Sequence, residues 1–464
     1  MPPRGQDGRA ESGGRFGRMF CDAARPDPGD DAVEELVRLI EKRSATHGPN
    51  DTIPAGFTYL GQFVDHDITF DPTSKLDGDN DPLALVNFRT PRFDLDSVYG
   101  SGPDDQPFLY EWTNRDDRGV KLLVGGDAAL ADLPRNAQGL ALIGDARNDE
   151  NLIVSQLHLL FIRFHNAVAD HIRDTQRLQG AALFERARQV VRWHYQWIVT
   201  HDFLRRVAGP LAGEVLRDGD SPSAPASVHL RHFNWEDEPF IPIEFSGAAY
   251  RFGHSMVRPK YRLMRGAPVV AIFPPAGAES GDGDLGGFRP LTRPLALHWD
   301  LFFWEKPIEH TTNSSLRINN RVALELFAVP DRGVLPRLNL QRGRALDLPS
   351  GPAVAAAMGA RQLDARELQL EPLADDGLHE ILLNQTPLWY YVLCEAGTNE
   401  FGRGGEHLGP VGGRIVAEVL VGLLQGDPES YLSCDPAWRP TLPAARACDF
   451  TMIDLVRFVR DAEA

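Results

Sequence analysis

The chain has 464 residues, of which 42% are hydrophobic, 24% charged and 9% aromatic. These are the values of a globular protein, and they exclude a mostly disordered, collagen-like or coiled-coil chain. With 48 basic and 65 acidic residues the formal charge is −17, so phosphate backbones and anionic membranes would repel it and nucleic-acid binding is a poor starting point.

Residues 1–30 are rich in Gly, Arg and Asp and lack an apolar leader, which predicts a mobile or loosely docked N-terminal arm without an ordinary secretory signal. No apolar run reaches the length of a membrane span, so the expected location is the cytoplasm or, by leaderless export, outside the cell. Residues 31–464 read as one large, mainly α domain with long functional loops and few short strands. The first helix is predicted over 31–43, with Asp31 and Glu34 at capping-box spacing and Val33, Leu36, Val37 and Ile40 on one face. Residues 57–70 are aromatic-flanked and helical through Gln62–His66. Residues 71–105, rich in Asp, Pro and Gly, predict a long irregular loop of the kind that is functional or ordered by a metal. Long helices follow over 150–173 and 181–206, and further helices are predicted over 245–258, 315–326, 352–359, 379–396, 411–425 and 449–461. Linker-like stretches at 218–227 and 274–287 carry no composition shift that would mark a domain boundary. Cys21, Cys394, Cys434 and Cys448 include no CxxC pair and form no disulfide framework. Oligomeric state leaves no mark in the sequence.

Five segments carry chemistry. In Gln62-x-x-Asp65-His66-Asp67, helical spacing puts Gln62 and His66 on one face. A buried imidazole beside an amide can accept a proton near neutral pH, although a helix end with surface carboxylates has the same pattern. Asp94-Leu95-Asp96-Ser97-Val98-Tyr99-Gly100, preceded by Thr90-Pro91-Arg92, alternates oxygen-bearing side chains as a hard cation such as Ca²⁺ requires, without the Gly and Glu positions of an EF-hand. A carboxylate-rich loop without a metal reads the same way. In Gly144-Asp145-Ala146-Arg147-Asn148-Asp149-Glu150-Asn151, Arg147 and Glu150 can face one pocket, and an acid in a first helical turn is also ordinary dipole complementarity. His158 and His165, on the apolar helix behind it, read as structural. In Tyr250-Arg251-Phe252-Gly253-His254, the glycine beside the histidine lets something flat approach closely. The fifth segment is Leu338-Asn339-Leu340-Gln341-Arg342-Gly343-Arg344.

Together and in this order, GQFVDHD, DSVYG, GDARNDEN, YRFGH and LNLQRGR resemble the animal-type haem peroxidases of the peroxidase–cyclooxygenase superfamily, over roughly residues 50–440. The late stretches TPLWYYVLCEA and LGPVGGRIVAEVLVGLL are similar to bacterial members. The resemblance implies hydrogen peroxide as oxidant, reduced through a ferryl compound I, and phenols or halides and thiocyanate as donors, with a role in the oxidative-stress response. It implies His66 as the distal base, Arg147 as the distal charge and Gln62 as the amide that orders water or small anions. It further implies His254 as the axial iron ligand, Asn339 as the partner of its other nitrogen, and Arg251 as a partner of a haem propionate. Asp65 and Glu150 match the carboxylates that form esters to haem methyl groups, which would make the cofactor a covalently linked haem b derivative. The Ca²⁺ ligands carry over as Asp67, Thr90, the carbonyl of Arg92, Asp94 and Asp96.

Two departures shape the expectation. Asn151 stands where the strongest halide oxidisers have a Met that forms a third link, so bromide, iodide, thiocyanate or phenol is expected rather than chloride. Arg342-Gly343-Arg344-Ala345-Leu346-Asp347 departs from the family's RGRDHG. A fatty-acid dioxygenase of the same superfamily would carry a Tyr three residues before the proximal His; here that residue is Arg251, with Tyr250 one further away. A non-catalytic haem- or calcium-binding protein is a second alternative, opposed by the intact Gln62, His66, Arg147 and His254. A zinc hydrolase would need a compact ligand set such as HExxH, which is missing.

Overall fold

A computed structural model describes residues 14–70, 86–87, 89–127, 129–221, 223–308, 311–371, 373 and 375–463. The centre of the fold is a helical hairpin, Leu152–Gln176 and Gly180–Trp197, joined through Arg177 in the left-handed region. Asn151 caps the first of these helices by accepting a hydrogen bond from the Ile153 N–H, so the residue that departs from the halide oxidisers has a structural task here. Leu152–Gln176 is buried on nearly all sides. By length and composition alone it could cross a membrane, but 89% of its apolar window lies inside the protein, as in the core helix of a globular fold. The second helix continues into a π-helical turn, Ile198–Phe203, where Thr200 Oγ1 donates to the Gln196 carbonyl and takes an acceptor from the helical ladder.

The mainly α architecture expected from the sequence is the one observed, with β structure confined to short ribbons. The buried apolar side chains form one cluster running from Phe16 to Val459. The expected arm is docked over its described part. Gly14–Gly17 pairs antiparallel with Val86–Asn87 and parallel with Ile241–Pro242, and the N–H groups of Met19 and Phe20 donate to the Glu244 carboxylate. Residues 71–85 of the expected irregular loop lie outside the described residues.

Several boundaries differ from the sequence reading. The first helix, Asp30–Ser44, starts after Gly29 and has no side-chain cap; Glu34, expected in a capping box, instead pairs with Arg337 at 2.7 Å. The helix expected over 315–326 is absent. Ser314–Leu316 pairs as a strand with Pro49–Pro54, and Asn319 accepts from the Arg321 N–H in a local turn that competes with helix formation. Residues 245–258 form three short pieces, Ile243–Gly247, Ala249–Phe252 and Gly253–Met256, because Gly247 and Gly253 weaken the helical ladder and Pro259 ends it. The helix expected over 379–396 is two helices, Asp376–Gln385 and Leu388–Gly397, split by Pro387, which has no N–H to donate. Leu335–Ala345, which carries Asn339, is a helix that the sequence reading left unassigned.

Candidate functional site

The helix Gly56–Ile68 presents Gln62 and His66 one turn apart, and both reach Glu150. Gln62 Nε2 donates to Glu150 Oε1 at 2.6 Å, and His66 Nε2 lies 3.9 Å from the same oxygen. His66 Nδ1 sits 2.8 Å from Asn148 Oδ1, and the Asn148 amide nitrogen is 3.0 Å from His158 Nδ1. With that amide donating to His158, its oxygen accepts from Nδ1–H of His66, and Nε2 of His66 is left without a proton. Burial, followed by the nearby Arg147 cation, holds the His66 pKa below its ordinary value, so the imidazole is neutral.

Arg147 is held from several directions. Its Nη2 donates to the carbonyls of His66 at 3.0 Å and Thr69 at 2.7 Å and to Asp145 at 2.8 Å, and its guanidinium stacks over Phe70. Asp145 also binds Arg89 at 2.6 Å, and Arg89 in turn pairs with Asp96. Burial opposes ionisation of Asp145, but Arg147 and Arg89 outweigh it and hold the carboxyl well below the usual range. Two glycines make this packing possible. A Cβ on Gly144 would meet the Ser97 carbonyl at 2.6 Å, and one on Gly287 would meet the Asp149 carbonyl at 1.8 Å.

Asp67, Asp94 and Asp96 bring one carboxylate oxygen each within 4.8 Å of one another. Asp67 Oδ1 is buried without a partner, and burial together with Asp94 and Asp96 pushes its pKa well up. Leu95, between the other two acids, adopts φ 56, a strained conformation for a branched side chain. Thr90 Oγ1 donates to Asp94 at 3.0 Å, and the Arg92 guanidinium lies 3.7 Å from Asp427.

His254 is the second residue of the short helix Gly253–Met256, and its Nδ1 lies 2.9 Å from the amide nitrogen of Asn339, 85 residues away. Burial, then Arg251, pushes the His254 pKa down to about 3. Arg251 Nε donates to the Ser246 carbonyl and has no ion pair among the described residues; burial, then Arg342, lowers its pKa to about 10. A Cβ on Gly253 would meet nothing within 4 Å, so space lies open beside His254. Tyr250 Oη donates to the Gly61 carbonyl at 3.2 Å, which ties this segment to the helix of His66. Asp65 accepts from Thr69 Oγ1, and Glu150 Oε2 lies 3.6 Å from Arg332 at the exposed edge.

The residues expected from the sequence therefore gather as two imidazoles, each with Nδ1 held by an asparagine, and a three-carboxylate cluster linked to the first through Arg89 and Asp145. The sequence reading missed Asn148, Asp145 and Arg89 as positioning residues. The first two lie inside the GDARNDEN segment, whereas Arg89 had no signal. His165 is satisfied by Tyr99 and the Val120 carbonyl, as expected of a structural histidine, whereas His158 orients Asn148.

A family model described as "Animal haem peroxidase" matches residues 74–275. Thyroid peroxidase from Homo sapiens is 27% identical over 300 residues, covering 58% of this chain and 30% of that protein, so the match spans about a third of the curated relative's length. The structure of peroxidase A from Dictyostelium discoideum superposes with a TM-score of 0.66 at 16% identity, covering 98% of this chain and 94% of that one. A fatty acid alpha-dioxygenase from Arabidopsis thaliana gives a TM-score of 0.57 at 17% identity, covering 95% and 73%. The last two establish likeness of fold.

Proposed function

We propose that this chain, which belongs to the peroxidase–cyclooxygenase superfamily, is a haem peroxidase that reduces hydrogen peroxide and oxidises small donors such as phenols, bromide, iodide or thiocyanate. The observation that carries the reading is the pair of asparagine-held imidazoles, His66 with an unprotonated Nε2 and His254 beside open space.

The residues fit the cofactor. Arg251 is a half-buried cation without an ion pair among the described residues, suited to a propionate, and His254 would offer Nε2 to iron in the tautomer that carries its proton on Nδ1, with the Asn339 amide turned to present its oxygen there. Asp65 and Glu150 stand for the ester carboxylates. When bound, the haem supplies the iron that draws electrons from donors and passes them to peroxide. Peroxide is a weak acid, so His66 Nε2 takes its proton and returns it to the departing hydroxide. Arg147, already oriented by His66, Thr69 and Asp145, stabilises negative charge developing on that oxygen, a contribution of roughly 3–4 kcal/mol for a preorganised donor. Gln62 orders water or a small anion beside His66. Asn339, a neutral acceptor, leaves His254 less imidazolate-like than a carboxylate would, which raises the iron's reduction potential.

The three-aspartate cluster suits Ca²⁺, because the orphaned Asp67 Oδ1 and three mutually repelling carboxylates call for a hard cation. Asp67 follows His66 directly, so the cation would hold the base in place. A dioxygenase is disfavoured, because Tyr250 is occupied by the Gly61 carbonyl and stacked on Phe245, and Arg251 stands at the position that such an enzyme gives to its tyrosine.

The test is an optical spectrum of haem-reconstituted protein before and after acid–acetone extraction, with steady-state guaiacol and bromide assays and oxygen uptake with linoleate. Haem absorbance, peroxide-dependent turnover and no oxygen uptake are expected. Failure to retain haem would refute the reading.

A further inference from the structure

On the far side of the π-helical turn Ile198–Phe203 is a second feature that the proposed chemistry leaves unused. Trp197 and His201 stack face to face, with ring centroids 3.6 Å apart and planes 1° from parallel. Trp197 also meets Tyr431 at 5.8 Å and Trp438 at 6.1 Å; Tyr431 and Trp438 are 5.4 Å apart, and Trp193 meets Trp438 at 5.3 Å. This is a contiguous group of the most easily oxidised side chains in the protein. Ordinary core packing accounts for rings in contact, but three further features here point beyond packing.

The Trp197 indole N–H donates to the Asp449 carboxylate at 3.0 Å, so the ring has a proton acceptor already in place. Trp197 is 4% exposed, yet its ring lines a surface cavity of about 320 Å³ together with His201, Arg205, Asp218, Arg439 and Asp449. Asp218 is shared by His201 at 2.9 Å and Arg205, and Arg439 lies over Trp197; with Asp220 and Asp449 the wall sets three acids against two arginines and carries a small negative charge. Such a wall favours a neutral aromatic molecule over a free anion. Finally, the backbone there is π-helical, a geometry frequent at functional positions.

The helical segment that carries the cluster also carries rings packed on the helix of His66. The Phe203 ring would lie 3.2 Å from a Cβ on Gly61, in the helix of His66. On the same helix as Trp197, Tyr195 meets Phe63 at 6.2 Å and Phe161 at 5.4 Å.

We propose that Trp197, backed by Trp438 and Tyr431, is a one-electron oxidation site at which neutral phenolic donors in this cavity are oxidised without contact with His66 or His254. The proposal rests on the haem-peroxidase reading, which supplies hydrogen peroxide as the oxidant. Trp197 gives one electron towards the peroxide reaction and its Nε1 proton to Asp449. A phenol in the cavity then gives one electron to the indolyl radical, Asp449 returns the proton to Nε1, and the phenol's own proton passes to solvent. Two such passages supply the two electrons, and solvent the two protons, that reduce one peroxide to two waters, leaving two phenoxyl radicals.

The experiment adds one equivalent of hydrogen peroxide to the haem-loaded full-length protein with a nitroso spin trap and maps adducts by peptide mass spectrometry. It is paired with steady-state oxidation of coniferyl alcohol and of iodide. Adducts are expected on Trp197, Trp438 or Tyr431. Trp197→Phe should lose them and lower kcat/KM for coniferyl alcohol by about tenfold while iodide oxidation stays unchanged. Adducts confined to other residues, or coniferyl alcohol oxidation at the parent rate in Trp197→Phe, would overturn the proposal. Should Trp197→Phe not fold, Asp449→Asn keeps the ring but removes the proton acceptor. It should slow coniferyl alcohol oxidation and change its solvent isotope effect, and unchanged values for both would overturn the proposal. Protein that oxidises neither donor defeats the haem-peroxidase reading as well, whereas protein that oxidises iodide with no radical in the cluster defeats this inference alone.

Discussion

The two imidazoles are held by the same kind of residue in very different surroundings. Around His66 lie Glu150, Arg147, Asp145 and Arg89, a lattice of charges that runs on to the aspartate cluster. Among the described residues the one side chain hydrogen-bonded to His254 is the neutral Asn339, with Arg251 as the nearby charge, on a backbone broken into short helical pieces. A group that must take and return a proton needs fixed charges near it, because their orientation is settled before the reaction. A metal ligand needs one well-placed acceptor that sets its basicity and little else. The contrast fits the opposite tasks that the proposed function gives the two histidines.

Breaking the charged side should produce the larger effects. His66→Ala should slow the peroxide reaction by roughly 10²–10⁴-fold with haem retained, as stopped-flow absorbance would measure. Asp145→Asn leaves Arg89 and Arg147 without their shared carboxylate and should cost about 3–5 kcal/mol in urea unfolding. Because the Asp145 pKa is depressed in the folded state, its contribution is intact above its unfolded value near 3.8 and is lost as acid protonates it. Acid unfolding of the parent should therefore steepen below about pH 4, and Asp145→Asn should flatten that slope. On the neutral side, Asn339→Ala should weaken haem binding by about 10–100-fold, less than the distal losses, in a haem titration. The smallest effect should come from chelation, which should slow the peroxide reaction by about tenfold before the protein unfolds, by loosening Asp67 beside His66. Unchanged kinetics in a verified cation-free sample would separate the cluster from the distal site.

The charged side was also the more legible in sequence. Gln62 and His66 are one helical turn apart, Arg147 and Glu150 share one short turn, and the three aspartates alternate at close spacing, so local periodicity exposes them. Arg89 was invisible because its partners Asp96 and Asp145 meet it only through tertiary packing, 7 and 56 residues away. Asn339 could be paired with His254 only through family resemblance, since nothing in its own helix points to a partner 85 residues earlier. The missed strand at Ser314–Leu316 has a related cause: pairing with Pro49–Pro54 overrides the weak local pattern.

The assignment of opposite tasks is tested most directly by titrating haem into His66→Ala and His254→Ala side by side and then adding peroxide. The account predicts that His66→Ala keeps the axial-ligation spectrum of the parent but reacts slowly, while His254→Ala loses that spectrum. Parent-like ligation in His254→Ala together with a parent-like peroxide rate in His66→Ala would contradict it.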